Sequence, residues 1–215
     1  GGGILVTNEA GSGEAQWVLL DNDVVIGNAG AYVTTWGSSS VQRTTKLTGD
    51  LSGTGTLTKR DGGVLRLAGT MSGFTGSINV EGGFLYFENT DAADFSALTV
   101  NSGTYITVTK SVGVDSLTSA AQSFIVEGEG ALLTVDEASF TSSIAFKSSA
   151  QGELGRVTTN GPDIWMNAES GASINIDDLQ VTGKLTLFLG GGTVTTGATE
   201  GATLNMGAVS IAADA

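Results

Sequence analysis

Hydrophobic and polar residues alternate along most of the chain, in short runs separated by Gly, Ser and Asn. In runs such as residues 65–67 and 174–176, every second side chain is apolar, which is typical of strands with one buried side. No stretch maintains apolar residues at i, i+3, i+4 and i+7, so helix is expected at most as one turn near 91–95 or 136–140. The pattern predicts an all-β fold.

The alternating runs recur with a fixed period. Four segments, at 55–67, 76–87, 96–108 and 115–126, each hold two runs around a turn of small residues. Equivalent apolar residues advance by 19 to 21 positions from one segment to the next. In the first runs they are Leu57, Ile78, Leu98 and Leu117, and in the second runs Leu65, Leu85, Ile106 and Ile125. The sequence therefore predicts a structural repeat of about twenty residues.

The repeat continues less evenly towards the C-terminus. Later units begin near Ile144, Ile164, Leu179 and Val194. In this interpretation residues 128–140 form an extra segment, and the last two units are compressed.

Three architectures accommodate two or three short strands per twenty residues: a propeller, an up-and-down sandwich and a parallel solenoid. Propeller blades need about 40 residues, and antiparallel hairpins favour Asn-Gly or Asp-Gly loops, which occur only at 61–62 and 160–161. A solenoid stacks equivalent residues, so that Leu57, Ile78 and Leu98 form one inward column. We therefore predict a parallel β-solenoid of ten or eleven coils, on the order of 50 Å long at about 4.8 Å per coil.

The periodicity also suggests the domain organisation. We predict a single solenoid domain over 1–215, with a less regular N-terminal cap or arm at 1–50 and the repeat region at 51–215. The glycines at 1–3, followed by the apolar run 4–7, suit a flexible arm with a strand that pairs copies end to end. The start lacks the features of a signal peptide, so we expect a mature or excised piece.

Composition restricts the chemistry. The 215 residues include 9 Lys and Arg, 22 Asp and Glu, no His and no Cys, for a net charge of −13. Phosphate would repel such a chain, so nucleic acid is not an expected partner. Zinc–cysteine sites, thiol nucleophiles and Ser-His-Asp triads are excluded. No run approaches the roughly 18 apolar residues of a membrane span, and we expect no cofactor.

Residues 51–87 resemble the autotransporter-associated β-strand repeat of bacterial surface and secreted proteins. The resemblance depends on the pattern G-x-G-T-L-T-K, two alternating runs and a closing G-G-x-L. The matching residues are Gly53, Gly55, Thr56, Leu57, Thr58, Lys59, Gly63, Leu65, Leu67, Gly69, Thr75, Gly76, Val80, Gly82, Gly83 and Leu85. It covers about 37 of 215 residues and departs from the pattern at 60–62 and 70–72.

The resemblance implies a right-handed parallel β-helix that is secreted or displayed on a bacterial cell surface, as a stalk or passenger. It implies no catalytic residue. The partners it implies are other copies of the chain or the rest of a longer surface protein, with glycans or a host surface as further candidates. Two other functions remain open on the same scaffold: a filament or sheath subunit, and a module that binds or degrades polysaccharide.

Carboxylates are the candidate catalytic groups of a chain without His and Cys. Asp21 with Asp23, and Glu127 with Glu129, would share one side of a strand, as paired acids do in glycoside hydrolases. The alternative is a solvated surface, because charged residues are mostly exposed. We assign no catalytic residue and expect no enzyme.

Two acidic clusters, at 21–23 and 177–178, offer hard oxygen ligands for Ca²⁺, but neither matches a known calcium loop. We therefore assign no metal site. Lys59 and Arg60 beside Asp61 predict a salt bridge at a corner of the solenoid.

Aromatic residues could line a sugar-binding groove, or could pack on the flank or the ends of the solenoid. The candidates are Trp17, Tyr32, Trp36, Tyr86, Tyr105 and Trp165. Thr-x-Thr pairs suggest an ice-binding surface, but they do not recur at one position of the repeat, so no flat threonine array is expected. They are Thr54/Thr56, Thr56/Thr58, Thr107/Thr109 and Thr193/Thr195.

Overall fold

A computed structural model describes residues 17–38, 41–169, 171–196, 205–206 and 209–213. In this part the chain is all-β without helix, and its parallel strands stack as a β-solenoid with about 21 residues per turn. The predicted fold class is confirmed. The strand pairings stack nine to ten coils within the described residues, close to the predicted ten or eleven. The described residues include no helix long and apolar enough to span a membrane.

The described strands number 23. The first twelve are β1 (Trp17–Leu20), β2 (Val24–Ile26), β3 (Ala31–Thr34), β4 (Gly37–Ser38), β5 (Val41–Gln42), β6 (Thr44–Leu47), β7 (Leu51–Gly53), β8 (Thr56–Arg60), β9 (Val64–Leu67), β10 (Gly73–Phe74), β11 (Ser77–Val80) and β12 (Phe84–Phe87). The others are β13 (Ala93–Val100), β14 (Tyr105–Val108), β15 (Ser111–Ser119), β16 (Ser123–Glu127), β17 (Leu132–Phe140), β18 (Ile144–Lys147), β19 (Gln151–Glu169), β20 (Ser173–Gly190), β21 (Thr193–Thr196), β22 (Asn205–Met206) and β23 (Val209–Ala213).

The strand segments form three parallel ladders, and the chain passes through ladders 1, 2 and 3 in each turn. Ladder 1 contains β3, β8, β11, residues 97–100, 116–119, 137–140, 156–161 and 178–183, and β22. Ladder 2 contains β1, β6, β9, β12, β14, β16, β18, residues 164–169 and 185–190, and β23. Ladder 3 is interrupted: β2, β7 and β10 form a separate three-stranded sheet, and residues 93–95, 111–114, 132–135, 151–154 and 173–176 and β21 continue at the same position of the later coils.

The core consists of side chains that lie directly above one another in successive coils. Leu57, Ile78, Leu98 and Leu117 are paired in this order along ladder 1, and none is more than 1% exposed. In ladder 2, Leu65, Leu85 and Ile106 do the same. Because strands alternate their side chains, the residues between them face outwards. The predicted inward columns are confirmed at these positions.

One predicted core position is wrong. Phe124, not Ile125, lies over Ile106 and is buried at 1% exposure, whereas Ile125 pairs with Thr107 on the outer side. This coil advances by only 18 residues in ladder 2, and a shift by one position moves every side chain to the other side of a strand. The turn at 120–122 is short and contains no glycine, so glycine spacing does not reveal its length.

Residues 128–140 are not an extra segment. Most of them form β17, which lies in register between β15 and β19 and supplies one ordinary rung to ladders 3 and 1. The predicted starts at Ile164 and Leu179 belong to different ladders, and this mixing explains the uneven spacing and the compressed units of the sequence interpretation.

The two short segments considered for a helical turn are strands in the structure. Asp91 resembles a helix N-cap, but its carboxylate accepts hydrogen bonds from the backbone N–H groups of Met71 (2.7 Å) and Ser72 (2.9 Å) in the preceding coil. β13 begins two residues later. The second segment, 136–140, lies inside β17.

Antiparallel pairing is limited, within the described strands, to the β4–β5 hairpin and one isolated bridge. The Asp61-Gly62 pair does not form a hairpin. It forms the corner between β8 in ladder 1 and β9 in ladder 2, where Asp61 adopts a positive φ of 61°. A turn signal of this kind therefore marks a solenoid corner here.

Candidate ligand-binding face

The outer side of ladder 2, here called the aromatic face, collects most of the outward aromatic side chains. One column contains Trp17, then the buried residues Thr44 and Val64, then Phe84, Tyr105, Ser123, Ser143 and Trp165, and finally the buried Thr186. The adjacent column contains Leu19, Lys46, Arg66, Tyr86, Thr107, Ile125, Ala145, Asn167 and Phe188. Trp17 and Trp165 are 61% and 39% exposed. The core packing of β1, β12, β14 and β19 thus holds these rings at fixed rungs.

Phe84 and Tyr105 form a stacked pair on this face. Their ring centroids are 4.5 Å apart and their planes differ by 12°, close to the rung spacing of about 4.8 Å. The next residue of the column is Ser123, whose side chain is too small to cover a ring. Tyr105 therefore presents its second ring face along the solenoid axis, towards the following coils.

A cation cluster lies beside the stacked pair. The Arg66 guanidinium lies 4.2 Å from the Tyr86 ring centroid and 5.6 Å from the Trp17 centroid, both within cation–π range. Arg66 also binds the Glu88 carboxylate, which Lys46 approaches at 3.4 Å (Nζ to Oε2). This end of the aromatic face is therefore amphipathic and locally close to neutral, within a strongly acidic chain.

A shallow depression of about 220 Å³ lies in the middle of the aromatic face. Its lining includes Ser123, Ile125, Ser143, Ala145 and Asn167. Small side chains create it, because Ser123 and Ser143 follow Tyr105 in a column that returns to an aromatic ring only at Trp165.

Polar groups surround the depression. The Ser143 hydroxyl accepts a hydrogen bond from the Trp165 backbone N–H (3.0 Å), which fixes the neighbouring rung. Gln122 and Lys147 also line the depression. Asn167 Oδ1 is buried and has no hydrogen-bond partner among the described residues, and such an acceptor is costly unless it is satisfied.

The predicted aromatic candidates do not all lie on one face of the solenoid. Trp17, Tyr86, Tyr105 and Trp165 share the aromatic face. Tyr32 lies on ladder 1 below the Arg60 guanidinium (4.7 Å to the centroid), and Trp36 lies near the β4–β5 hairpin, with Arg43 at 6.0 Å.

Sequence reasoning missed Phe84 and Phe188, which are also outward on the aromatic face. Strict alternation from Leu85 and Leu187 would have identified both, because each is next to an inward residue.

The outer side of ladder 1 differs from the aromatic face, because one of its columns consists of hydroxyl and amide side chains. The column contains Thr58, Asn79, Thr99, Thr118, Ser139, Thr158 and Gln180. The predicted Thr-x-Thr pairs with described positions fall on three different ladders, as their spacing suggested. The mixed column arises because single residues from different runs, not the pairs, are in register.

A second column on ladder 1 becomes charged in the later coils. Arg156 lies between Glu137 and Asp178, with N–O distances of 3.3 Å to each carboxylate. Glu137 and Arg156 border a shallow depression of about 140 Å³ together with Thr118 and Thr158. Because Arg156 already binds both acids and is 57% exposed, the group is a surface ion network rather than a binding site.

The predicted carboxylate pairs are not arranged for catalysis. Asp21 and Asp23 lie in the exposed turn between β1 and β2, and Asp23 accepts a hydrogen bond from the Asp50 backbone N–H (3.0 Å). Glu127 ends β16, whereas Glu129 follows in the next corner, so neither pair shares one side of a strand. The described residues contain no cluster of three or more acidic side chains that could hold a metal ion.

The predicted salt bridge at 59–61 is wrong in its partners. Lys59 points into the core with no exposed surface, and its Nζ donates to the carbonyl oxygens of Arg60 (2.7 Å), Asp61 (2.7 Å) and Gly82 (3.1 Å). Burial lowers the pKa of Lys59 to about 8, although the Asp61 carboxylate opposes the shift. Arg60 instead binds Glu81 in the next coil (3.0 Å).

Comparisons with models of protein families, with curated proteins and with solved structures give no match for this chain. The resemblance of residues 51–87 to the autotransporter-associated repeat therefore stays a prediction.

Proposed function

We propose that this chain is an extracellular structural or adhesive module, a stalk or passenger segment of a bacterial surface protein. The observation that supports the proposal is the continuous parallel pairing of ladders 1 and 2 from the first described coil to the last. Each coil contacts its neighbours only, so the number of coils sets the length of the molecule. The ten rungs of ladder 2, spaced about 4.8 Å apart, give a stack of roughly 43 Å.

The way in which the core is stabilised also fits a location outside the cell. The chain contains no cysteine, so neither the stability of the stack nor its folding depends on the redox state of the compartment. Its net charge of −13 favours solubility and opposes non-specific association of neighbouring stalks. The repeat-like residues at 51–87 agree with the same proposal.

Surface labelling of intact cells tests the proposed location. An antibody raised against the purified chain should label unpermeabilised cells that express the native protein, and protease added outside should remove the signal. A cytoplasmic protein of the same cells is the control and should stay protected. Labelling that requires permeabilisation would contradict the proposal.

End-to-end assembly is a second candidate function. Trp17, Leu19 and Val25 of the first described coil are 61%, 61% and 72% exposed, and β1, β2 and β3 each have one paired neighbour among the described strands. Apolar surface beside strand edges favours strand addition between copies. The glycine-rich arm and run 4–7 of the sequence prediction lie outside the described residues. Electron microscopy of the purified chain should show filaments if copies pair, and isolated short rods if they do not.

A further inference from the structure

The middle of the aromatic face has the composition of a carbohydrate subsite. Sugars have apolar C–H surfaces that pack on aromatic rings, and hydroxyl edges that need hydrogen-bond partners. The depression offers both kinds of group, since polar and apolar side chains line it together, while Tyr105 and Trp165 occupy the column positions before and after it. From this arrangement we propose that the aromatic face binds a neutral oligosaccharide, with its sugar rings along the solenoid axis between Tyr105 and Trp165.

Distances along the column favour an extended ligand. Tyr105 and Trp165 are three rungs apart, which corresponds to roughly 14 Å at about 4.8 Å per rung. The depression of about 220 Å³ is smaller than the roughly 300–1,000 Å³ of a pocket that encloses a small molecule. A ligand that contacts both rings must therefore be a chain of several units on an open surface.

Tyr105 and Trp165 can each stack on a sugar ring, for different structural reasons. Phe84 covers one face of the Tyr105 ring at 4.5 Å, and the next residue of the column, Ser123, has no ring to cover the other face. Trp165 is 39% exposed, and its backbone N–H is held by the Ser143 hydroxyl at 3.0 Å. Rings that the fold holds in place lose little conformational entropy on binding.

Hydrogen-bonding side chains in the lining of the depression match the hydroxyl groups at the edge of a sugar ring. Gln122 and Lys147 line the depression, and Asn167 has a buried Oδ1 without a partner. The side chains at the floor thus supply donors and acceptors at the spacing of successive rungs.

Two observations select a neutral glycan over other polymers. The net charge of −13 repels polyanions such as nucleic acids and acidic glycans. A peptide that adds as a strand needs a free strand edge, but β16 and β18 are paired with strands on both sides. The side chains alone are available here, which suits a ligand recognised by ring stacking and hydroxyl contacts.

Titration of the purified full chain with neutral hexasaccharides tests the proposal. The panel contains cellohexaose, maltohexaose, xylohexaose and chitohexaose, with a hyaluronan hexasaccharide as the anionic comparison, and the readouts are calorimetry and tryptophan fluorescence. We expect at least one neutral member to bind. Failure of all four neutral members, or equal binding of the hyaluronan fragment, overturns the proposal.

Variants place the binding on the aromatic face. Trp165→Ala and Tyr105→Ala should each weaken binding at least about tenfold, as expected for the loss of a stacked ring. Ala145→Arg should block the floor and reduce binding by a similar factor. The matched control Trp36→Ala removes an exposed indole elsewhere and should change affinity less than about twofold. Parental affinity in the three face variants overturns the assignment.

A measurement on the parental chain tests the location of the site without depending on whether the variants fold. Amide chemical shifts perturbed by the bound hexasaccharide should cluster at residues 122–125, 143–147 and 165–167, and a cluster elsewhere overturns the assignment. The proposal depends on the extracellular location only for its biological role. Absence of surface labelling would therefore leave the site intact, and absence of sugar binding would leave the proposed location intact.

Discussion

At the scale of single residues, the most unusual side chain is Lys59. It occupies an inward position of ladder 1 between Val33 and Val80, where the neighbouring coils have apolar side chains. Its ammonium group donates hydrogen bonds to three carbonyl oxygens of the adjoining corners, which take the place of water. A buried charge is tolerated when it is fully hydrogen-bonded, and here it ties the corner of one coil to the corner of the next.

Lys59 should give the stability of the protein a distinctive pH dependence. Its pKa is about 8 in the folded chain and 10.5 in an ordinary setting. The unfolded state therefore binds more protons between these values, and stability rises with pH across that interval. The free energy of unfolding of the parental chain minus that of Lys59→Met should increase by up to about 3 kcal/mol from pH 7 to 10.5. Urea titrations at several pH values measure this difference, and a constant difference would contradict the prediction.

Inward positions should not tolerate a carboxylate. Leu98 and Ile106 are 0% and 1% exposed, and Leu98→Asp or Ile106→Asp loses about 1.5–3 kcal/mol of apolar burial and adds the several kcal/mol of an unpaired buried charge. Each variant should lose cooperative thermal unfolding, as measured by circular dichroism. Thr99→Asp, an exposed neighbour on the same strand, is the control and should melt within a few degrees of the parent. Unchanged melting of both core variants would contradict the inward columns.

At the scale of elements, the corners decide how closely the coils approach. Between ladders 3 and 1, Gly27, Gly55 and Gly76 occupy equivalent corners of three successive coils. A Cβ at Gly76 would lie 2.0 Å from the Gly55 carbonyl oxygen, and one at Gly55 would lie 1.9 Å from that of Gly27. These glycines are required for close approach of backbone to backbone.

The corner column offers a matched pair of substitutions. Gly76→Ala should destabilise the chain by about 1–3 kcal/mol, because the backbone of two coils must separate to accommodate the methyl group. Gly27→Ala should stay within about 0.5 kcal/mol, since a Cβ there meets nothing within 4 Å. Chemical denaturation of both variants measures the difference. Equal effects would show that coil contact does not determine the requirement for glycine.

The strands and turns also explain which parts of the candidate site were predictable from the sequence. Alternation places Tyr86 and Tyr105 on the outer side of their strands, because each is next to an inward residue, Leu85 or Ile106. The one-residue difference between Phe124 and Ile125 could not be predicted, because the length of the turn at 120–122 depends on how it packs against the neighbouring corner, where the Gln122 backbone N–H binds the Thr104 carbonyl. The depression depends on that register, since Ile125 lines it only as an outward residue.

At the scale of the whole molecule, the stack behaves as a series of equivalent units with nearest-neighbour contacts. Removal of a complete coil should therefore preserve the fold. Deletion of residues 98–116 joins Ala97 to Leu117, which occupies the column position of Leu98. The shortened chain should remain folded, with a cooperative transition and a β-rich circular dichroism spectrum.

Deletion of residues 98–106 is the matched control. It removes about half of a coil and joins ladder 1 to the middle of ladder 2, so that inward columns no longer align. We expect this chain to aggregate or unfold. Equal stability of the two deletions would show that the coil is not the structural unit.

The sequence by itself determined the strand alternation, the period of about twenty residues and the parallel stacking, because a solenoid makes each local run repeat the same environment. The tertiary structure alone decided the register at Phe124, the inward Lys59 and the grouping of Trp165 with Tyr105 on one face. The physical reason is that corners of variable length rotate and shift each run relative to the preceding coil. Backbone contacts between successive corners fix that length, and no single run encodes them.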